Sequence, residues 1–244
     1  MKPQDAPSAR AGAAAPAKAA DAGISGAVDD GVQGAEPGTS DAPVGSNDSD
    51  DSNGQRVLLD EMGIQRSLMR IAHEVIERAA DPERLYLVAI PNGGVPLARR
   101  LAANLREIAD LDVTVGVLDT TLYRDDLLTT SQRPALRRTE MPSAVDDHVV
   151  ILVDDVVKTG RTIRAAMDAL MDFGRPQAVQ VVGLVDRGHR ELPIKLDYVG
   201  KNVPTQPEEQ VELRVTQSAP DERLEVVILP GNGARASGAE RGKA

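Results

Sequence analysis

A short aliphatic run followed by two acids constrains this chain more than any other feature. Val149–Val153 contains only aliphatic residues, which is typical of a strand buried on both faces of a parallel sheet. Asp154 and Asp155 follow at once, and a turn containing Gly160 and a helical pattern come next. Because ligands bind beyond the carboxyl ends of strands in open α/β sheets, we expect a binding site at this point.

The same alternation of strand and helix patterns recurs along the chain. The predicted elements, in chain order, are a helix over Ile64–Ala79, a strand Leu85–Ile90, a helix through Leu97, Leu101 and Leu105, the strands Val113–Leu118 and Val149–Val153, a helix Thr162–Phe173, a strand Ala178–Val185, and a late antiparallel hairpin from Val211–Val215 and Leu224–Leu229. This order predicts an α/β fold with a parallel sheet flanked by helices and joined by right-handed crossovers.

Composition predicts where the folded part begins and ends. Residues 1–54 are rich in Ala, Gly, Pro, Ser and Asp, and they hold three basic against nine acidic residues, which is six of the ten net negative charges. We therefore predict a disordered acidic extension over 1–54, one folded domain over 55–230 and a flexible tail over 231–244. The folded part carries little net charge, which permits a local basic face.

The chain has no cysteine and three histidines, which excludes a disulfide framework and argues against a zinc site. No segment approaches the roughly 20 apolar residues that cross a bilayer, and the N-terminus has no signal-peptide pattern. We expect a cytoplasmic protein with no membrane contact.

The segment Val156–Thr162 has the composition of a phosphate-binding loop. Gly160 lets backbone N–H groups approach an anion, Thr159 and Thr162 offer hydroxyl groups, and the start of a helix favours negative charge. The two preceding acids would repel a phosphate, but they can accept hydrogen bonds from the hydroxyls of a ribose one sugar length away. An acid pair or a Thr-Gly turn alone is ordinary loop chemistry; the whole ordered string is much more specific. It is not a Walker loop, because the Gly-Lys-Ser/Thr order is missing.

The string VVILVDDVVKTGRT, Val149–Thr162, resembles the phosphoribosyltransferase signature. Three further segments, Arg70–Ala79, Thr121–Leu127 and Asp186–Thr205, resemble the PyrR family of bifunctional pyrimidine operon regulators and uracil phosphoribosyltransferases. The likeness covers about Val57 to Leu229. It implies a type I phosphoribosyltransferase fold and the conversion of uracil and 5-phosphoribosyl pyrophosphate (PRPP) to uridine monophosphate (UMP) and diphosphate. It also implies that Mg²⁺ is delivered with PRPP and is not held in a fixed metal site.

The resemblance assigns roles to individual residues. Asp154 and Asp155 are implied to be catalytic and to hold the ribose. The implied residues for PRPP or nucleotide binding are Asn92, Gly93, Gly94, Arg124, Arg138, Asp154, Asp155, Val156, Val157, Lys158, Thr159, Gly160, Arg161, Thr162 and Arg187. Within this set the loop at 91–94 receives the pyrophosphate, and Arg187 lies beside the uracil pocket. Arg124, Arg137 and Arg138 belong to a predicted lid between about Thr120 and Pro142, which closes over the pyrophosphate.

The regulatory half of the resemblance implies a second binding surface. Its residues are Arg70, His73, His189, Arg190 and Lys201, and its partner is the pyr leader mRNA, bound in response to UMP or uridine triphosphate. Their chemistry suits RNA, because Arg and Lys neutralise phosphates and His stacks on splayed bases. Family members form homodimers or higher homo-oligomers. Two alternatives stay open: His73 as a partly buried structural residue, and Arg190 with Glu191 as a surface ion pair of little energetic value.

One segment departs from the family pattern. The family usually places Thr-Arg-Gly in the pyrophosphate loop, whereas this chain has Asn92-Gly93-Gly94. Loss of an arginine that stabilises a developing anion costs on the order of 2–4 kcal/mol. Lys158 stands where the family often has an aromatic residue, and it is one candidate for compensation. The alternatives are a regulator with weakened or lost catalysis, a neutral change at Gly93 in a permissive turn, and a purine or orotate enzyme, which the string RGHRELPI disfavours.

Overall fold

The structure of the chain is a computed structural model, and it describes residues 50–51, 55–91, 93–124, 138–218 and 221–231. At residues 50, 51, 217, 218 and 221 it describes the backbone alone. The elements in chain order are β1 (Asp50–Asp51), β2 (Gln55–Leu59), α1 (Glu61–Arg78), β3 (Leu85–Ala89), α2 (Gly94–Ala109), β4 (Thr114–Val117), β5 (Val149–Val157), α3 (Arg161–Leu170), β6 (Ala178–Asp186), β7 (Tyr198–Asn202), β8 (Gln210–Ser218) and β9 (Asp221–Leu229). The predicted alternation of strands and helices is confirmed.

Five parallel strands form the central sheet in the order β4-β3-β5-β6-β7. Successive side chains of a strand point to opposite faces, and here both faces are apolar. Leu87 of β3 and Ile151 of β5 lie in one apolar cluster, whereas Val88 and Leu152 lie in the other. Because both faces are covered, β3 and β5 consist almost entirely of aliphatic residues. The carboxyl ends of β3, β5 and β6 meet at one edge of the sheet.

Helices cover the two faces of this sheet. The apolar stripe predicted for α1 is confirmed: Ile64, Leu68 and Val75 are fully buried in the first cluster, which also receives α2. Asp60 caps α1, since its side chain accepts the N–H of Gly63 at 2.7 Å. The shorter helix α3 packs in the second cluster. No helix among the described residues is both long enough and apolar enough to span a bilayer.

A second, antiparallel sheet has the strand order β1-β2-β9-β8. The predicted late hairpin is confirmed as β8 and β9, and Val226 and Ile228 share the first apolar cluster with α1. The sequence patterns missed β2 and β7, since each has only five residues and neither alternates clearly. Although β1 lies inside the predicted extension, the domain boundary near residue 55 stays a prediction.

Several predicted boundaries differ from the structure by a few residues, and two of them lie at the candidate site. The strand predicted over Val149–Val153 continues to Val157, because residues beyond the acid pair still hydrogen-bond to β6. The helix predicted over Thr162–Phe173 begins at Arg161 and ends at Leu170, and a single 3₁₀ turn follows it. Both differences arise from tertiary pairing and packing, which local periodicity does not record.

Candidate active site

The two adjacent acids lie near the carboxyl end of β5 in different environments. Asp154 is buried, with 5% of its surface exposed, and Asp155 is half-buried. The backbone N–H of Asp155 donates to Oδ1 of Asp154 at 3.1 Å. Burial raises the pKa of Asp154 well above its usual range, the charge of Asp155 raises it further, and Arg124 lowers it in part. An ionised Asp154 therefore needs a hydrogen-bonding ligand or a cation beside it.

The phosphate loop is shorter than the sequence predicted. Val156 and Val157 were placed in this loop, but they pair with Val185 and Asp186 inside the sheet, so that placement is wrong. Backbone pairing with β6 continues past the acids, and only Lys158–Gly160 separate β5 from α3. The contact of Val156 and Val157 with a nucleotide stays a prediction.

The loop residues Lys158–Gly160 lead directly into the first turn of α3. Gly160 has a φ of +91°, a left-handed conformation that residues with side chains rarely adopt. Thr159 Oγ1 accepts the N–H of Arg161 at 3.3 Å, and Thr162 is half-buried in the same turn. The free backbone donors at the start of an α-helix attract anions, so the loop has the features of a phosphate site, and its contact with a phosphate stays a prediction.

Gly93 and Gly94 bring the start of α2 against β5, while Asn92 lies outside the described residues. A side chain on Gly94 would overlap the carbonyl oxygen of Val153, and one on Gly93 would overlap the carboxylate of Asp155. Gly93 has an ordinary φ of −82°, so the requirement for glycine comes from space and not from backbone conformation. The small size of Gly93 lets Asp155 occupy its position. The interpretation of Gly93 as a neutral change for catalysis stays a prediction.

The predicted lid is described only at its two ends. Residues 125–137, which include Arg137, lie outside the described residues. Arg124 follows a 3₁₀ turn, Thr121–Tyr123, and lies close enough to Asp154 for its charge to lower the pKa of that acid. Arg138 is 87% exposed and stands 3.8 Å from the carboxylate of Glu140. The charge of Arg124 thus reaches Asp154, whereas Arg138 pairs with Glu140.

Arg187 is a buried cation at the end of β6. Its guanidinium donates to Thr205 Oγ1 at 2.9 Å and to the carbonyl oxygens of Gln206 and Glu209 at 3.3 and 2.7 Å. Burial lowers the pKa of Arg187, and the charge of Glu209 opposes that shift. Lys158 Nζ donates to the carbonyl oxygen of Pro207 in the same turn, at 3.1 Å. Residues 205–209 therefore form a wall beside the phosphate loop, fixed by two cations.

Two predicted RNA-binding residues lie beside the phosphate loop. His189 is exposed, and its Nε2 lies 2.8 Å from the carbonyl oxygen of Thr205. Arg190 donates to the carboxylate of Asp186 and to the carbonyl oxygen of Lys158, each at 2.8 Å. The alternative of an Arg190–Glu191 ion pair is wrong, because Arg190 pairs with Asp186 and Glu191 pairs with Arg161.

Asp186 was missed as a site residue by sequence reasoning. Its Oδ1 accepts the N–H of Gly188 at 2.9 Å, while its Oδ2 accepts Arg190. An Asp two positions before a Gly is a recognised signal for a turn in which the side chain accepts that N–H. Applied to the string DRGHR, that signal would have found the turn, although not the contact with Arg190.

The other three predicted RNA-binding residues come from α1 and β7. Arg70 donates to the carbonyl oxygens of Val199 and Gly200, each at 2.8 Å, so the helix and the strand are joined at this point. His73 is exposed on α1, and the alternative of a partly buried His73 is wrong. Lys201 is also exposed, and its Nζ donates to the carbonyl oxygen of Leu58 at 3.3 Å. Their contact with RNA stays a prediction.

Comparison with known proteins supplies the family. Residues 54–217 match the family model of the phosphoribosyl transferase domain. The chain is 56% identical over 172 residues to the Bifunctional protein PyrR of Pelotomaculum thermopropionicum, covering 70% of this chain and 94% of that protein. It is 50% identical over 167 residues to the Bifunctional protein PyrR of Bacillus subtilis, covering 68% and 92%. This chain belongs to the PyrR family. The family predicted from the four sequence segments is confirmed.

Solved structures agree with the PyrR assignment at the level of the fold. A hypoxanthine phosphoribosyltransferase from Staphylococcus aureus matches with a TM-score of 0.50 at 19% identity, covering 63% of this chain and 79% of that one. An alanine mutant from a study of an invariant aspartic acid in HPRTs matches with a TM-score of 0.51 at 21% identity, covering 61% and 81%. The type I phosphoribosyltransferase fold is confirmed; at these identities the purine bases of the neighbours say nothing about this chain.

We expect two neighbouring glycine substitutions to have different consequences. In Gly94→Ala the new methyl group meets the backbone carbonyl of Val153, which cannot rotate away, so overpacking should cost about 1–3 kcal/mol of stability. In Gly93→Ala it meets the Cβ atom of Asp155 as well as the carboxylate, so Asp155 must shift as a whole and leave the proposed ribose site. Urea denaturation measures the first effect and calorimetric titration with UMP the second. Equal losses of stability in the two variants, together with an unchanged UMP affinity in both, would contradict the prediction that the two substitutions differ.

The raised pKa of Asp154 predicts that its carboxylate lowers the stability of the protein at pH 7 and strengthens ligand binding. Folding raises the pKa of Asp154, so the folded state binds this proton more tightly than the unfolded state. The stability gained from the bound proton is fully present below the unfolded pKa of roughly 4, and it is lost as the pH rises through the folded pKa. Asp154→Asn stays neutral, so we expect a higher Tm than wild type at pH 7, a similar Tm at pH 4, and weaker UMP binding. Differential scanning calorimetry measures the Tm.

Asp112→Asn provides the matched control for this experiment, since that carboxylate is 88% exposed. It removes the same charge without relieving a buried one, and we expect its Tm to stay near the wild-type value at both pH values. A lower Tm for Asp154→Asn than for wild type at pH 7 would contradict the prediction.

Proposed function

We propose that this protein transfers the phosphoribosyl group of PRPP to uracil and also regulates pyr operon expression by binding the leader mRNA in response to uridine nucleotides. The observation that carries the proposal is the acid pair at the end of β5 followed by a glycine-hinged phosphate loop. It occurs in a chain 50–56% identical to proteins named bifunctional PyrR, over more than nine-tenths of their length. The PyrR family and the phosphoribosyl transferase domain are established; the roles of individual residues are proposed.

The proposed positions of the ligand follow from the edge of the sheet. Asp154 and Asp155 accept hydrogen bonds from the ribose hydroxyls, and the N–H groups of Lys158–Thr162 hold the 5-phosphate. The start of α2 at Gly93 and Gly94 receives the pyrophosphate. Uracil lies beside the wall at residues 205–209, whose carbonyl groups Arg187 holds in place. In this proposal Arg187 shapes the uracil pocket from behind, since its donors are engaged with that wall.

The proposed reaction needs positioning and charge stabilisation more than covalent help from the protein. As the bond between the anomeric carbon and the pyrophosphate breaks, the ribose gains positive charge and the leaving group gains negative charge. The acid pair lies on the ribose side, where carboxylates favour the positive charge, and Arg124 lies toward the leaving group. Nitrogen one of uracil then bonds to the anomeric carbon and loses its proton, which the departing diphosphate can accept. A lid closed over the site keeps water from that carbon.

The residues of the site fit Mg²⁺ that arrives with PRPP. Mg²⁺ usually binds one or two carboxylates together with substrate phosphates, and the acid pair offers carboxylate oxygens beside the phosphate loop. Among the described residues, no three Asp, Glu, His or Cys side chains come together as a metal cage. When bound, the ion would neutralise charge on the pyrophosphate, and Asp154 and Asp155 are the residues that would face it.

The proposed RNA surface consists of His73, Lys201, Arg70, His189 and Arg190. The first two are exposed and supply a base-stacking ring and a phosphate-neutralising charge. A leader mRNA places this function in the cytoplasm. A homodimer or higher homo-oligomer is part of the same proposal, by similarity to the PyrR family.

The alternative of a regulator without catalysis is not favoured. Gly93 has a structural reason in this chain, since it makes room for a catalytic carboxylate, and a site preserved in this way is consistent with turnover. The relatives are themselves named bifunctional. A purine or orotate enzyme is disfavoured by the string RGHRELPI and by the 50–56% identity to proteins named bifunctional PyrR.

We expect the purified chain to form UMP from uracil, PRPP and Mg²⁺, and to form no nucleotide from hypoxanthine or orotate. Asp155→Asn should lower kcat/KM by roughly ten- to a hundredfold, because it removes a hydrogen bond to a charged acceptor worth about 1.5–3 kcal/mol. Chromatography of the products measures both, with Asp112→Asn as control. Binding of PRPP without any UMP would instead identify a regulator that has lost catalysis.

We expect Lys201→Gln and His73→Ala to weaken binding to a pyr leader RNA in gel-shift titrations while uracil turnover persists. If Lys201 neutralises one RNA phosphate, the slope of log affinity against log salt should become shallower by roughly 0.7–0.9. Arg84→Gln is the control, because Arg84 precedes β3 at the opposite edge of the sheet. An unchanged slope and affinity in Lys201→Gln would remove that residue from the proposed surface.

A further inference from the structure

The segment Gly188–Ile194, which we call the brace, contacts the phosphate loop at successive residues. Arg190 donates to the carbonyl oxygen of Lys158 at 2.8 Å. The N–H groups of Glu191 and Leu192 both donate to the carbonyl oxygen of Thr159, at 3.1 and 3.2 Å. The next residues continue the contact: a methyl group on Gly160 would touch Ile194 and Leu192, and Arg161 pairs with Glu191 at 2.8 Å.

These contacts orient the loop through the geometry of the peptide bond. In a trans peptide the carbonyl group and the following N–H point in opposite directions. When the brace holds the carbonyl groups of Lys158 and Thr159, the N–H groups of Thr159 and Gly160 are turned away from the brace. Those two N–H groups belong to the proposed phosphate site. The brace therefore fixes the donors of the phosphate site from behind, and an anion bound to the donors would in turn fix the carbonyl groups that the brace holds.

Arg190 connects the loop to the rest of the brace. Besides Lys158, its guanidinium donates to the carbonyl oxygens of Gly188 and Ile194, at 3.0 and 2.9 Å, and to the carboxylate of Asp186 at 2.8 Å. Its side chain is only 21% exposed. The chemistry that the family resemblance assigned to RNA contact is thus engaged inside the protein. Replacing Arg190 would remove contacts to the loop, to both ends of the brace and to Asp186 together, while the N–H groups of Glu191 and Leu192 would still donate to Thr159.

His189, an exposed residue of the brace, depends on the same contacts. It has a φ of +37°, in the left-handed region that a residue with a side chain adopts only when its surroundings impose it. Gly188 before it also has a positive φ, and Arg190 after it is anchored to the loop. The imidazole is held at Thr205. The position of an exposed RNA-binding candidate and the orientation of the phosphate donors therefore belong to one hydrogen-bonded unit.

We propose that the brace transmits occupancy of the phosphate loop to the RNA-binding surface, with Arg190 as the connecting positioning residue. This inference rests on the proposed function and deepens it, because it identifies how a nucleotide regulates RNA binding. A bound 5-phosphate orders the loop, the ordered carbonyl groups strengthen the contacts of Arg190, Glu191 and Leu192, and His189 is held in its RNA-binding position. Coupling between two binding sites is reciprocal, so RNA tightens UMP binding by the same factor as UMP tightens RNA binding.

Hydrogen exchange of the full chain tests the first half without RNA. The N–H groups of Glu191 and Leu192 donate to the phosphate loop, so saturating UMP should slow their exchange by about fivefold or more, the lower end of typical coupling between sites. Amides in the β8–β9 hairpin are the internal control and should change little. UMP binding with no selective protection of the brace would overturn the proposal.

Arg190 variants test the second half, with RNA affinity measured with and without UMP. We expect UMP to raise wild-type affinity by about fivefold or more, Arg190→Gln to bring this ratio near one, and Arg190→Lys to retain part of it, since an ammonium can still reach Lys158. Arg106→Gln, at the far end of α2 and 67% exposed, should keep the wild-type ratio. UMP binding and the Tm of each variant are measured separately by calorimetry.

The outcomes distinguish this inference from the proposed function. If Arg190→Gln loses RNA affinity equally with and without UMP, Arg190 is an RNA contact and the proposal is wrong. A wild-type chain whose RNA affinity does not respond to UMP would overturn the regulatory half of the proposed function. In that case protection of the brace by UMP would still decide whether the brace responds to the phosphate loop.

Discussion

The parallel hydrogen bonding of β5 between β3 and β6 is the interaction on which the rest of the structure depends. It buries an aliphatic strand on both faces, and it continues past the acids as far as Val157. Because pairing does not stop at Asp154, this carboxyl group is held inside the sheet, while the phosphate loop begins only after the last paired residue. The backbone of one strand thus fixes the separation between the acid pair and the amides of the loop Lys158–Gly160.

The buried acid pair and the close approach of α2 lower the stability of the protein at the proposed active site. A carboxyl group 5% exposed at the end of an apolar strand has its pKa raised by burial and by a neighbouring acid. The close approach of α2 demands two glycines in succession, one against the backbone of Val153 and one against the side chain of Asp155. Apolar clusters on both faces of the sheet offset this cost. The start of α2 is therefore shaped by the volume that β5 and its acid pair require and not by backbone flexibility.

Hydrogen bonds of basic side chains connect the candidate site to neighbouring backbone segments. Arg187 and Lys158 hold the turn at 205–209, Arg190 holds the phosphate loop, and His189 lies between the two. Arg187, Lys158 and Arg190 each donate to backbone carbonyl groups, so they set the orientation of peptide planes. The proposed catalytic loop and the proposed regulatory surface can share one short segment because that segment has a solvent-exposed side and a loop-facing side.

The sequence by itself determined the α/β alternation, the acid pair, the glycine-hinged loop and the family, because these features lie in short continuous segments whose periodicity and order are local. Only the tertiary structure decided that β5 extends to Val157, that β2 and β7 are strands, that Gly93 makes room for Asp155, and that Arg190 pairs with Asp186 and not with Glu191. Each of these depends on a partner distant along the chain or on the space left by a neighbouring element. Periodicity along one segment records which face is apolar, but it carries no information about which donor meets which acceptor across the fold.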